Sequence, residues 1–258
     1  MRPEYQLMQD LSWDAAFRRR FLNAPADAVR ERYPQIDHLE RYGPAQFGGI
    51  EESAYYRVAS CCRASKTHFP RGHQLLLAFG GLAFFEDLLV GYLDSPRPTD
   101  AVYELFDSYK LAPEIIRVAH RFKWQNDADW IVPVLEYEWA RLHAGRVARG
   151  WKSLIPTHGL LPDGLYIVCA NYDLQALLSD LDRMMAASVP DEVYRWRAVP
   201  GSGRFRVAVY PHGGQIAEVE LDDQLLGILE QARAGRLPVL STEVADSLVD
   251  AGLINRYS

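Results

Sequence analysis

The clearest alternation of apolar and polar positions lies between Val193 and Leu221. Val193-Tyr194-Arg195-Trp196-Arg197-Ala198-Val199 alternates in size and polarity and runs into the turn Pro200-Gly201-Ser202-Gly203. Arg204 to Tyr210 then sets Phe205, Val207 and Val209 on one face and Arg204 and Arg206 on the other. Pro211-His212-Gly213-Gly214 makes a second turn, and Ile216 to Leu221 reads as a third strand with a charged face. Period two between Gly/Pro clusters predicts a β-meander. The period then becomes helical. Asp222 or Asp223 caps a helix with the stripe Leu225, Leu226, Leu229 and Ala232, closed by Gly235. Ser241 or Thr242 caps another with Val244, Ala245, Leu248 and Val249. There Gly252 supplies a left-handed residue, and Leu253 folds back on Leu248 as in a Schellman ending. Strands followed by two helices predict a small winged-helix-like module. Such modules hold DNA with a helix, or hold a peptide by adding it to a sheet edge.

Upstream the pattern is helical throughout. Ser12 caps a helix carrying Trp13, Ala16, Phe17 and Phe21, and Pro25 opens another that runs to Tyr33. Further helices are predicted from Ser53 to about Lys66, from Gln74 to Phe79, and from Leu82 to Leu93 after a break at Gly80-Gly81. Others cover Ala101 to Tyr109 and Pro113 to Phe122, and a long one runs from about Pro133 to Arg149. Residues 152–164 hold two Pro and two Gly and read as a linker. Leu165 to Ala170 is a buried-type strand, and Leu174, Leu177, Leu178, Leu181 and Met184 mark an amphipathic helix. The predicted fold class is therefore α+β. An all-helical domain over 1–151 precedes a β-α-β-β-β-α-α module over 165–258.

Composition narrows the function. The chain has 258 residues, 48% hydrophobic and 24% charged, enough for a sizeable core. A net charge of −6 counts against nucleic acid as the partner. Three cysteines, two of them adjacent, do not make a disulfide framework, so a reducing compartment is expected. The first residues carry no apolar signal region, and the longest apolar run is broken by Gly80-Gly81 and Glu86-Asp87. A soluble, cytoplasmic protein without a membrane partner is expected.

Constellations that would carry chemistry in this chain fail on spacing. Cys61-Cys62 with His68 and His73 has the residue types of a metal site, but adjacent helical cysteines diverge by about 100°. Glu136, Glu138 and His143 lack the Glu-x-x-His spacing that aims two helical ligands at one ion. Glu138 reads instead as half of a buried ion pair, with Arg57 as its partner. Ser202 lies in a hairpin turn without the Gly-x-Ser-x-Gly elbow, and no phosphate-loop lysine follows. The helix from Thr242 to Asp250 offers Glu243, Asp246 and Asp250 and no Lys or Arg, an acidic face that repels DNA. A winged-helix DNA-binding regulator is the alternative reading.

Tyr55-Tyr56-Arg57, Phe69-Pro70, Phe84-Phe85 with Tyr92-Leu93, and Leu135-Glu136-Tyr137-Glu138-Trp139-Ala140 together resemble a known helical domain family, described as putative DNA-binding. Tyr166-Ile167-Val168-Cys169-Ala170-Asn171-Tyr172-Asp173 before an amphipathic helix is similar to that family's C-terminal region. Ala59 stands where the family usually has Asn. The family comprises partner proteins of multinuclear non-heme iron-dependent oxidases, TIM barrels that modify peptide cysteines. Its members serve methanobactin and 3-thiaglutamate biosynthesis, and the resemblance is nearest to the latter. It implies a non-catalytic subunit that forms a heterodimer with the oxidase. The C-terminal module would then be a RiPP recognition element, binding the leader of a ribosomally made precursor peptide. No cofactor is expected in this chain, and the iron would lie in the partner oxidase.

On that reading the leader adds to the edge of the strand Ile216 to Leu221. It would lie in a groove between that edge and the helix Thr242 to Val249, built from Ile216, Glu218, Val219, Glu220, Val244, Leu248 and Leu253. The rival edge is the strand Leu165 to Ala170. Arg195, Arg197, Arg204 and Arg206 form a basic face for the leader or the oxidase.

Overall fold

A computed structural model describes residues 6–7, 10–11, 14–36, 65–93, 108–154, 159–186, 200–236 and 238–255. The chain is a helix-rich α+β protein with a small antiparallel sheet of three strands among the described residues. Its contacts divide it into residues 1–126 and 127–258. That division falls before the long helix rather than within 152–164. The reason is visible in the helix itself, which is buried round most of its circumference and packs on the sheet.

The N-terminal unit begins with a helical hairpin, α1 (Ala15–Asn23) and α2 (Pro25–Arg32). Asp14, not Ser12, caps α1, accepting from the Phe17 N–H at 2.8 Å. Pro25 occupies the first turn of α2, where its missing N–H costs nothing. Phe17, Phe21, Ala28, Val29 and Tyr33 close a small core with Leu7 and Leu11. Arg32 lies over the Phe17 ring at 4.7 Å and bonds Asp10 and Asp14 at 2.9 and 2.6 Å. Next come α3 (Pro70–Leu75), a π-helical turn over Leu76–Gly80 and α4 (Gly81–Leu93). Gly81 has φ +55°, which breaks the helix at the predicted place. Phe84 stacks on Trp124 and meets Phe122 edge-on. A single helix, α5 (Ser108–Ala119), holds Pro113 in its interior, so Pro113 does not open a helix as predicted. Residues 53–64 and 101–107 of the predicted helices, the cysteines Cys61 and Cys62, Arg57, and the strand Val193 to Val199 all lie outside the described residues.

The C-terminal unit is layered. A 3₁₀ turn over Gln125–Trp130 leads into α6 (Ile131–Ala148). After it come β1 (Tyr166–Tyr172), α7 (Leu174–Ala186), β2 (Ser202–His212), β3 (Gln215–Glu220), α8 (Asp223–Arg233) and α9 (Thr242–Asp250). The sheet order is β1-β2-β3, with Val168 opposite Val207 and Val209 opposite Glu218. Helix α6 contacts all three strands. On the other face Ala208, Tyr210, Ala217 and Val219 share a core with Leu229, Ala232, Leu248, Leu253 and Ile254. Leu160 and Leu161 join this core, and Asn255 ties them down through the Gly159 and Leu161 carbonyls, both at 2.9 Å. That end of the predicted linker is therefore part of the folded unit.

Caps fix the helix ends. Asp222 accepts from the Leu225 N–H at 2.7 Å and Ser241 from the Val244 N–H at 3.4 Å. Gly252, at φ +72°, donates to the Val249 carbonyl while Leu253 N–H reaches the Leu248 carbonyl, both at 2.9 Å. This is the predicted Schellman ending, and it turns Leu253 into the core.

Candidate peptide-docking edge

The hairpin between β2 and β3 determines which main-chain groups of β3 are available. Its two-residue turn, Gly213-Gly214, has φ +56° and +76°, as a type I′ turn requires. The flanking pair His212–Gln215 is then hydrogen-bonded, and bonded pairs alternate from there. Tyr210–Ala217 and Ala208–Val219 fall in phase, and the Leu221 N–H donates to the Arg206 carbonyl at 3.0 Å. The residues between them, Ile216, Glu218 and Glu220, turn their N–H and C=O groups outward. No described strand pairs with that edge, because β1 lies on the far side of β2.

Side chains follow the same alternation. Ala217 and Val219 enter the core shared with α8 and α9. Ile216, Glu218 and Glu220 face the α6 side instead. The Ile216 Cδ1 lies 3.1 Å from where a Cβ on Gly145 would stand, so only a glycine lets strand and helix approach here without displacing Ile216. The Arg141 guanidinium donates to Glu218 at 2.6 Å, and the Tyr137 hydroxyl donates to the other carboxylate oxygen at 2.9 Å. Burial, with the Glu218 charge beside it, raises the Tyr137 hydroxyl above its ordinary pKa, so it stays a donor. Phe205 meets the Tyr137 ring edge-on at 6.0 Å.

The groove expected between this edge and the helix Thr242 to Val249 is therefore not assembled as predicted. Ile216 and Val219 are an odd number of residues apart and point to opposite faces. Leu248 and Leu253 are buried core residues, and Val244 is exposed on α9. The element beside Ile216 and Glu218 is α6, whose residues Tyr137, Arg141, Gly145 and Arg149 recur every fourth position and so share one face. Sequence reasoning placed α6 in another domain and missed all four. A glycine within an otherwise strong helix former was the available signal.

The arginines behave differently from the basic face that was expected. Arg204 and Arg206 converge on Asp223 in the first turn of α8. Their hydrogen bonds, that of Arg206 first, hold the Asp223 carboxyl below its usual range. Arg195 and Arg197 lie outside the described residues. Glu138 is buried on α6, and its pairing with Arg57 lies outside what is described.

Two histidines elsewhere are enclosed, while Cys169 on β1 is exposed. His143 is fully buried, stacks on Trp139 and shares a 3.0 Å hydrogen bond with the Ser153 hydroxyl. Burial brings its pKa down to about 4. Ser65 Oγ and His73 Nδ1 lie 2.7 Å apart, also buried. Among the described residues no group of three or more His, Cys, Asp or Glu is placed to hold a metal, and no helix is long and apolar enough to cross a membrane. No known protein family model and no curated protein sequence matches the chain.

Proposed function

We propose that this chain is a non-catalytic partner subunit that binds a ribosomal precursor peptide along the outer edge of β3. It would present the peptide's cysteine to a TIM-barrel multinuclear iron oxidase, in chemistry of the 3-thiaglutamate type. One observation carries the peptide-binding part: Ile216, Glu218 and Glu220 offer three outward main-chain positions beside a helix that supplies fixed polar and apolar side chains. The oxidase and the class of peptide come from the resemblance of the aromatic and charged motifs. The winged-helix module would then serve as a RiPP recognition element in a cytoplasmic heterodimer. As a DNA-binding regulator the same module is disfavoured, since Glu243, Asp246 and Asp250 on α9 are all exposed and acidic.

The test is a binding titration. A fluorescent peptide copied from a short reading frame beside this one should bind the purified chain, while duplex DNA should not. Ile216→Asp should weaken the peptide about tenfold, or 1.4 kcal/mol, with the fold intact. DNA binding with no peptide binding would replace this reading with the regulator. Stoichiometric iron and oxidase activity in the isolated chain would overturn the non-catalytic role.

A further inference from the structure

The outer edge of β3 carries an order of charge as well as outward main-chain groups. At its start the Arg149 guanidinium lies beside Ile216. Arg149 Nη2 and Ile216 Cδ1 are 3.7 and 3.1 Å from the same point over Gly145. The Arg149 Nε donates to the Gly145 carbonyl at 2.9 Å, and this side chain forms no ion pair among the described residues. In the middle, Glu218 is already neutralised by Arg141. At the end, Glu220 is exposed on the same face and has no cationic partner among the described residues. At about 3.3 Å per residue, Ile216 and Glu220 are about 13 Å apart, beyond the ~8 Å screening length of physiological salt. The two charges therefore act on different residues of any added strand.

We propose that the strand taken up at this edge is a peptide with charges in a fixed order. It has a basic side chain opposite Glu220, a neutral one opposite Glu218 and an acidic one opposite Ile216, next to Arg149. This rests on the strand-addition reading above. Continuing the antiparallel sheet, the basic residue precedes the acidic one along the peptide.

Synthetic peptides with one apolar framework test this on the full chain by fluorescence anisotropy. One version is basic-first, one acidic-first and one carries alanine at both charged positions. Basic-first should bind about tenfold more tightly than acidic-first, because the exchange turns two cross-strand attractions into repulsions. In the Arg149→Glu, Glu220→Lys double variant the preference should reverse. Equal affinity for all versions, or a wild-type preference for acidic-first, overturns the charge order and leaves strand addition standing. If no version binds, including the alanine one, strand addition at this edge fails and the charge order with it. The peptide series on the wild-type chain does not depend on the variant folding.

Discussion

The two faces of the sheet are built from the same strands and do different work. Towards α8 and α9, Ala208, Tyr210, Ala217 and Val219 join Leu229, Leu248, Leu253 and Ile254 in one core, and Arg204 and Arg206 beyond it pair with Asp223 of α8. The Tyr210 hydroxyl donates to the Ala251 carbonyl at 3.0 Å. Towards α6 the face is apolar only over its centre, at Val168, Val207 and Val209. At β3 it passes into Ile216, Glu218 and Glu220, where Tyr137 and Arg141 hold a carboxylate beside the open edge. Neighbouring residues of one strand thus enter the core on one side and border the open edge on the other. A strand of six residues can do both only because its side chains alternate.

Truncation on each face should separate these roles most strongly. Leu229 is fully buried, and Leu229→Ala should cost about 2–5 kcal/mol, the range for a core leucine with its cavity. Ile216 is 39% exposed, and Ile216→Ala should cost under about 1 kcal/mol. Urea melts of both variants measure the difference. Equal losses would mean that the α6 side of β3 is core as well, and that the comparison is wrong.

Much of the α8/α9 face could be read directly, because its signals are local. Asp222 and Ser241 cap where short polar residues precede apolar stripes, and Gly213-Gly214 and Gly252 stand where positive φ is needed. The α6 face depends on contacts between residues far apart in the chain. Tyr137 and Arg141 meet Glu218 across about eighty residues, and nothing in the periodicity of either segment announces it. α6 mixes apolar and charged positions on every side, so its pattern names no single face to bury. Ile216 and Val219 do not line one groove, since their odd spacing sets them on opposite faces of the sheet. The order β1-β2-β3 was not readable, because a buried strand can pair on either side of a hairpin.

Acid should expose the α6 layer next. His143 has a folded pKa of about 4 against an ordinary 6.5, because burial penalises the imidazolium. In the unfolded chain it takes up a proton near its ordinary value. Its neutral burial is therefore fully tolerated above about pH 6.5, and stability falls as pH drops from there towards 4. The shift corresponds to about 3 kcal/mol at the acid end. His143→Gln should flatten part of the slope of melting temperature against pH across that window. His73, buried in the N-terminal unit and also brought to about 4, keeps its own share. An unchanged slope in His143→Gln would show that His143 is protonated in the folded protein.

The smallest effect on stability is expected at the central residue of the open edge. The carboxylate of Glu218 and the guanidinium of Arg141 are both partly exposed, with side-chain accessibilities of 30% and 47%. Pairs of that kind contribute between 0 and about 1 kcal/mol, because water and salt screen them. Glu218→Gln keeps the size and the acceptor for Tyr137 while removing the charge. Its melting temperature should stay close to that of the wild-type chain. Peptide binding should respond differently, because the centre of the edge then loses a negative charge. A peptide with an acidic residue opposite position 218 should gain affinity by a few-fold in the variant, and one with a basic residue there should lose it. The sign of that change, read with the same two peptides on the wild-type and Glu218→Gln chains, decides whether Glu218 faces the bound strand. If Glu218→Gln instead lowers stability as much as Leu229→Ala, the carboxylate belongs to the core of the unit, and the division of labour between the two faces is lost at its central residue.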